Sequence, residues 1–271
     1  MYKISPAVKN LLIINVLLFV ATYVLGSQFN LDLTRRLALY YPGSEYFRPY
    51  QFVTHMFMHG GIGHGGIGHI FFNMYALWMF GTPIENAWGG KRFLFYYLFC
   101  GLGAAALHTL VNYLIFSGMA ADITAFTNSP SPEIFKQFVE AHKDFFNQNV
   151  YDFINQWTMS PGDSAYAATA LENMHGVYQS TINIPTVGAS GAIFGILLAF
   201  GMMYPNVQLM IIFLPVPIKA KWMVTGYGAL ELIFGVIQPG SSIAHFAHVG
   251  GMLFGFILIR YWMAQSRRRN I

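Results

Sequence analysis

Hydrophobic residues fill six long stretches of the chain, and polar segments separate these stretches. Each stretch has the length of a helix that crosses, or nearly crosses, a lipid bilayer. The pattern therefore predicts an all-α polytopic membrane protein, folded as a six-helix bundle in one membrane domain of residues 1–271. The predicted helices cover residues 11–26, 69–88, 93–117, 188–204, 222–237 and 243–263.

The first stretch allows two interpretations, a cleaved signal peptide or a retained membrane helix. It follows Lys3 and Lys9, but it is long for the apolar part of a signal peptide, and no A-x-A cleavage site comes after it. Because further spans follow along the chain, the sequence favours a retained helix.

Two long polar segments interrupt the predicted bundle. Residues 27–68 are too long and too polar for a simple turn, and short helices at the membrane surface are expected there. Residues 118–185 carry seven acidic and two basic side chains, which predicts an aqueous insertion between helices 3 and 4. Apolar residues at helical spacing predict one helix in 134–146, and a second is expected at 164–178.

Composition and charge exclude several classes of protein. With 55% hydrophobic and only 10% charged residues, the chain lacks the surface of a soluble protein. Its single cysteine, Cys100, excludes an intramolecular disulfide and a cysteine-based zinc cluster. The basic residues lie in short groups at the ends of apolar runs, a pattern that indicates membrane topology, so no nucleic-acid partner is expected.

The charge distribution also predicts an orientation. If six spans alternate, ten of the fifteen basic residues fall on one side and nine of the eleven acidic residues fall opposite. The positive-inside rule then places both termini in the cytoplasm and the insertion outside, and a bacterial inner membrane is the expected location. His69, Asn73, Ser190 and His248 would all enter the membrane from the outer face.

Ser190 opens the fourth predicted helix, between the small residues Gly188, Ala189 and Gly191. A nucleophile is well placed there, because glycine lets the backbone approach closely and a helix N-terminus offers unpaired N–H groups to a developing oxyanion. The alternative is that Gly191 and Gly195, a G-x-x-x-G pair, only pack one helix against another.

His248 lies about one turn into the sixth predicted helix and is followed by Gly251 and Gly255, again at a spacing of four. Two helices with glycine faces can approach closely. A histidine so placed can accept the Ser190 hydroxyl proton and return it to a leaving amine, and this chemistry requires no carboxylate.

Other polar residues in the predicted membrane segments have several interpretations. His69 and Asn73 share one helical face, where buried polar groups have partners or a task. His108 is interpreted as a packing residue and Glu231 as a hydrogen-bonding residue inside the bundle, although an intramembrane acid is a functional candidate. A glycine-rich histidine repeat at 59–69 could bind metal, but no H-E-x-x-H motif or nearby acid accompanies it, so neither metal nor cofactor is expected.

Three motifs together resemble the rhomboid intramembrane serine proteases. They are G-x-S-G-x-x-x-G at 188–195, H-x-x-G-x-x-x-G at 248–255 and H-x-x-x-N at 69–73. The resemblance covers residues 1–117 and 186–263, in the order and topology of that family.

The resemblance implies a role for each of these residues. Ser190 is the nucleophile and His248 the general base and acid, while His69 and Asn73 form the oxyanion hole with the Ser190 backbone N–H. The implied substrates are single-pass membrane proteins, cleaved within the lipid bilayer. The residues that the resemblance implies to support the site are Gly188, Gly191, Phe194, Gly251 and Gly255.

Several positions are similar to the family with differences. Phe47 and Arg48 resemble its Trp-Arg pair, and 81–89 resembles its junction between the second and third helices. Phe194 replaces a tyrosine that stacks on the catalytic histidine. The repeat leaves either His59 or His64 as the match to the family's loop histidine.

Two other functions compete with proteolysis. A catalytically silent rhomboid-like protein would bind membrane clients, and loss of the serine or the histidine would be its usual mark, yet Ser190 and His248 are both present. A transporter would require inverted repeats or paired broken helices, which the sequence does not show.

Overall fold

The computed structural model describes residues 3–61, 65–211, 214–238 and 244–269. The described residues are mostly helical, with short 3-10 turns at His55–Phe57 and Lys143–Phe145 and a π turn at Leu77–Gly81. The helices and strands, in chain order, are α1 (Pro6–Phe29), α2 (Leu33–Leu37), α3 (Gln51–Thr54), α4 (Gly66–Ala76), α5 (Thr82–Trp88), α6 (Gly90–Asn128), α7 (Pro132–Ala141), α8 (Asn149–Met159), α9 (Ser164–Ile182), α10 (Ser190–Met203), β1 (Gln208–Ile211), β2 (Leu214–Lys219), α11 (Ala220–Ile237) and α12 (His245–Arg269).

Four helices in the described part of the chain are long and apolar enough to cross a membrane. They are α1, α6, α11 and the His245–Ser266 part of α12. The other two predicted spans differ from these four. The fourth predicted span, α10, has only 14 residues. The second, at 69–88, consists of α4, the π turn and α5 in succession. The six-span topology therefore stays a prediction.

Helix α6 continues eleven residues beyond the predicted end of the third span at 117. Met119, Ile123 and Phe126 are buried and recur at helical spacing, whereas Asp122 is exposed. The polar residues that begin near 118 thus occupy one face of a helix whose other face stays apolar. For this reason the change in composition does not mark the end of the helix.

The strands β1 and β2 form an antiparallel hairpin that the all-α prediction did not include. Gln208 pairs with Lys219, Leu209 with Ile218 and Met210 with Pro217. Proline lacks the N–H that a helix interior requires, but a two-stranded sheet has free edges that tolerate it. A short apolar segment with prolines therefore becomes a hairpin here.

The chain divides into two compact units. The first contains 1–39, 46–109 and 185–271, and the second contains 40–45 and 110–184. The core of the first unit includes Tyr96, whose hydroxyl donates a hydrogen bond of 2.8 Å to the carbonyl of Gly195.

The second unit has an aromatic core of its own. Phe126, Phe135 and Trp157 are buried there and contact one another through their rings. Two side chains cap the N-termini of α7 and α9. Ser131 accepts a hydrogen bond from the Ile134 N–H, and Asp163 accepts one from the Ala165 N–H. Such N-caps satisfy backbone donors that a helix leaves unpaired.

Candidate active site

Ser190 is the first residue of α10, and Gly188, two residues before it, lies close to His55, His69 and the serine hydroxyl. Gly188 has a φ of 129°, a conformation that favours glycine, and its N–H donates a 3.0 Å hydrogen bond to the carbonyl of His55. A Cβ at this position would lie 3.1 Å from the His69 ring and 3.3 Å from Ser190 Oγ. The absence of a side chain at Gly188 thus leaves the space between the serine and His69 open.

His248 contacts the serine directly. Its Nε2 atom lies 2.8 Å from Ser190 Oγ, within hydrogen-bond distance. For Nε2 to accept the hydroxyl proton, the other ring nitrogen, Nδ1, must carry the imidazole hydrogen. The two residues lie 58 positions apart in the sequence, so the packing of α10 against α12 determines this distance.

The two helices pack at glycine positions. A Cβ on Gly251 would overlap the carbonyl oxygen of Gly191, and a Cβ on Gly195 would lie 3.0 Å from the carbonyl oxygen of Gly251. Gly255 instead faces the hydroxyl of Tyr96 on α6. The backbones of α10 and α12 therefore approach one another to a distance that excludes side chains larger than hydrogen.

Phe194 lies one turn after Ser190 and stacks on the catalytic candidate His248. The ring centroids are 4.2 Å apart and the planes differ by 7°. A phenyl ring therefore makes the stacking contact without the tyrosine hydroxyl of the family. Such a contact restricts the orientation of the imidazole.

His69 and Asn73 occupy one face of α4, and the His69 ring borders the space beside Ser190. The Asn73 amide donates a 2.8 Å hydrogen bond to the His69 carbonyl within its own helix. Its nitrogen carries a second hydrogen that this bond does not use.

Two histidines of the first loop are buried near these groups. The Nδ1–H of His55 donates to the Gln51 carbonyl at 2.9 Å, and the ring of His59 meets the ring of His69 edge-on at 5.2 Å. Burial lowers the pKa of both His55 and His59 to about 4, so both are neutral at pH 7. His64, the alternative loop histidine, lies outside the described residues.

Glu231 of α11 contacts two histidines of α12. Its Oε2 atom lies 2.6 Å from His245 Nδ1 and 2.9 Å from His248 Nδ1. The first contact is a hydrogen bond, and the second has the distance of an ion pair with an angle outside the hydrogen-bond range. Glu231 is a hydrogen-bonding residue of the bundle, as predicted, but its partners are two histidines, one of which contacts Ser190. The G-x-x-E-x-x-x-G spacing at 228–235 is the signal in the sequence that could have indicated this contact.

A family model described as the Rhomboid domain matches residues 46–129 and 158–265, which together form most of the chain. The chain belongs to the rhomboid family. This match confirms the resemblance seen in the sequence motifs. The family and the four long apolar helices together identify the chain as an integral membrane protein. The unmatched residues 130–157 contain α7 and most of α8. None of the curated proteins compared with the chain matches it.

Within the described part of the rhomboid chain, Glu231, His245 and His248 form the group whose atoms could bind a metal ion, all within 4.8 Å of one another. Ligands at 2.0–2.1 Å around a tetrahedral ion lie about 3.3 Å apart. The 2.6 Å and 2.9 Å separations are shorter. They fit direct contacts between imidazole and carboxylate better than ligands of a shared metal ion.

Two cavities border α10 of the rhomboid chain. A small one beside Ser190 is lined in part by His55, Thr186 and Ala244, and the Thr186 hydroxyl also lies 3.0 Å from His108 Nε2. The larger cavity, of about 440 Å³, contains Arg92 and none of the predicted site residues. Of these two cavities, the small one borders Ser190.

Proposed function

We propose that this rhomboid protein is an intramembrane serine endopeptidase that cleaves transmembrane segments of other membrane proteins. The observation that carries the proposal is the 2.8 Å contact between Ser190 Oγ and His248 Nε2 at the first turn of a helix. A serine hydroxyl is a weak nucleophile until a base accepts its proton, and the imidazole is placed to do so.

The reaction proceeds through an acyl-enzyme. His248 Nε2 accepts the hydroxyl proton as Ser190 Oγ attacks the scissile carbonyl carbon, and the imidazolium then donates that proton to the leaving amine. A water molecule, deprotonated in turn by His248, attacks the ester carbonyl carbon, and the imidazolium then returns the proton to Ser190 Oγ as the acid product leaves. The phenyl ring of Phe194, stacked on the imidazole, holds it in one orientation through both halves of the reaction.

The negative charge of the tetrahedral intermediate requires donors. The Ser190 backbone N–H at the start of α10, the His69 ring and the second hydrogen of the Asn73 amide are the proposed donors. His69 borders the same space as Ser190, and this supports its assignment. Asn73 would have to direct its free hydrogen toward that space when substrate binds.

The substrates are single-pass membrane proteins, and the cut lies in a segment that has left its helical conformation. An intact helix keeps its carbonyl groups hydrogen-bonded, whereas an unwound segment exposes one to the nucleophile. We place six spans in a bacterial inner membrane, with both termini in the cytoplasm and the 118–185 insertion outside, because the basic residues cluster at the opposite ends of the predicted spans.

The test is cleavage of a labelled single-span reporter by purified protein in liposomes. Wild type is expected to cut the reporter, and Ser190→Ala and His248→Ala are expected to reduce the rate by at least about 10³-fold, since each removes one half of the pair. Thermal unfolding of each variant controls for misfolding. A folded wild type that cuts none of several reporters would favour the alternative function, a catalytically silent protein that binds membrane clients.

A further inference from the structure

The geometry points to Glu231 as a positioning residue that orients His248 and keeps its hydrogen on Nδ1. This inference rests on the proposed proteolytic function, and it extends the Ser190–His248 pair to a carboxylate on a third helix. Three features support this role: the packing of α11 on α12, the hydrogens that the ring nitrogens must carry, and the second histidine on the same oxygen.

The face of α11 that carries Glu231 packs closely on α12. A Cβ on Gly228 would lie 2.9 Å from the Met252 side chain, and a Cβ on Gly235 would lie 3.1 Å from the ring of Phe246 and 3.3 Å from His245 Cβ. Gly228 and Gly235 flank Glu231 at helical spacing, so all three share one face. The small residues let α11 come close enough for the carboxylate to reach the imidazoles.

The proton positions of the Ser190–His248 contact favour this arrangement. An ionised carboxylate only accepts hydrogen bonds, and a neutral imidazole has one N–H and one lone pair. The carboxylate at 2.9 Å from Nδ1 attracts a hydrogen on that nitrogen and repels a lone pair there. The lone pair is therefore directed to Nε2, where the hydroxyl of Ser190 needs an acceptor.

His245 holds the carboxylate in place. Its Nδ1 lies 2.6 Å from the same oxygen, and the side chains of His245 and Glu231 are 7% and 15% exposed. With one buried partner already bonded, Oε2 has little freedom to turn away from His248. The angle to His248 is less favourable, but such contacts often tighten when substrate binds.

The carboxylate also stabilises the reaction itself. When His248 takes the proton from Ser190 it becomes a cation, and a negative charge held at 2.9 Å favours that state. In serine hydrolases with a buried carboxylate, replacement by the amide lowers kcat by about 10⁴-fold. Because the angle here is less favourable, a 10- to 100-fold decrease, about the effect of a misplaced catalytic group, is expected.

The experiment compares Glu231→Gln with Glu85→Gln in the liposome assay. Glu85 is the matched control, since it is a buried glutamate of the same unit that accepts hydrogen bonds from Ser5, Ala7 and Val8. We expect Glu231→Gln to lower kcat by 10- to 100-fold with KM changed less than twofold, and to slow the labelling of Ser190 by a fluorophosphonate equally. Glu85→Gln should lower thermal stability and leave both rates per folded molecule unchanged.

A spectroscopic measurement separates orientation of the ring from a general structural effect. In protein labelled with ¹⁵N-histidine, the His248 signals, assigned by their loss in His248→Ala, should show hydrogen on Nδ1 in wild type. In Glu231→Gln the hydrogen should move partly to Nε2. An unchanged kcat, or a lower kcat with unchanged His248 nitrogen signals, would overturn the inference. If wild type neither cleaves nor reacts, the proposed function fails, while the nitrogen signals still decide the role of Glu231.

Discussion

Glu85 and Glu231 are both glutamates on helices of the same unit, and their partners differ in kind. Glu85 accepts hydrogen bonds from the Ser5 hydroxyl at 2.5 Å and from the backbone N–H groups of Ala7 and Val8 at 2.8 Å. It thereby caps the first turn of α1 with a negative charge, where the helix dipole favours one. Glu231 instead faces the ring nitrogens of His245 and His248.

The difference shows how the partners of a glutamate inside the helix bundle determine what the carboxylate does. A backbone N–H cannot lose or move its hydrogen, so the contact of Glu85 is static and contributes to stability. An imidazole can do both, so the contact of Glu231 is coupled to the protonation of a residue that touches Ser190. A sequence that contains a glutamate inside a predicted span does not distinguish the two cases.

The largest effect is expected from a substitution that separates α10 from α12. It should break the contact between Ser190 and His248 and leave the contacts of Glu85 intact. In Gly251→Ala the added methyl would overlap the Gly191 carbonyl oxygen, so α10 and α12 must separate. A displacement of about 1 Å at a catalytic group can cost 100-fold, and we expect at least that loss in kcat, together with a lower melting temperature.

Gly226→Ala is the matched control for this variant, because no heavy atom lies within 4 Å of a Cβ there. It should keep wild-type activity and stability. The stability cost of Glu85→Gln should be the same with and without Gly251→Ala, since the contacts are independent. Full activity in Gly251→Ala would contradict the packing argument.

The next prediction concerns the stability of the folded protein at acidic pH. His55 is buried near the site, and burial lowers its pKa to about 4 from 6.5. Between these values the unfolded chain binds a proton that the folded protein excludes, so stability falls as pH decreases from 6.5 toward 4, by up to about 3 kcal/mol. The melting temperature of wild type should decrease over this range, and that of His55→Gln should decrease less.

This result would sharpen the comparison, because it would assign the loss of stability in acid to a buried histidine near the site. Equal slopes in wild type and His55→Gln would show that His55 is not the group that acid charges.

The smallest effect is expected at Phe194, a second residue that contacts His248 and restricts its orientation. Phe194→Leu removes a ring stacked at 4.2 Å, and aromatic contacts of this kind contribute about 0.5–1.5 kcal/mol. We expect kcat to fall by about 2- to 10-fold, whereas Phe194→Tyr keeps the stack and should remain within about twofold of wild type. Loss of activity in the tyrosine variant equal to that of leucine would argue against stacking as the role of Phe194.

Local spacing in the sequence indicated the proposed Ser190–His248 pair, and the structure brings these two side chains together. Ser190 and His248 were identified because each opens an apolar stretch and is followed by glycines at a spacing of four, a pattern that depends on one helix at a time. The family match confirms the membership that these motifs indicated. The contact of Glu231 depends on the register of α11 against α12, which no spacing within either helix specifies.

Two features of the fold were not predicted from the sequence, for related reasons. The continuation of α6 to Asn128 depends on burial of Met119, Ile123 and Phe126 in the core of the second unit, whereas the prediction relied on composition. The hairpin of β1 and β2 depends on pairing between two short apolar segments, which the sequence presented as an interrupted apolar run. In both cases tertiary contacts decide the local structure.

The most direct test of the central claim is the site and rate at which a fluorophosphonate modifies the protein in liposomes, mapped by mass spectrometry. We predict a single adduct on Ser190 in wild type, formed at least about 10²-fold more slowly in His248→Ala, because the hydroxyl then lacks its proton acceptor. An adduct on another residue, or the same rate on Ser190 without His248, would contradict the account.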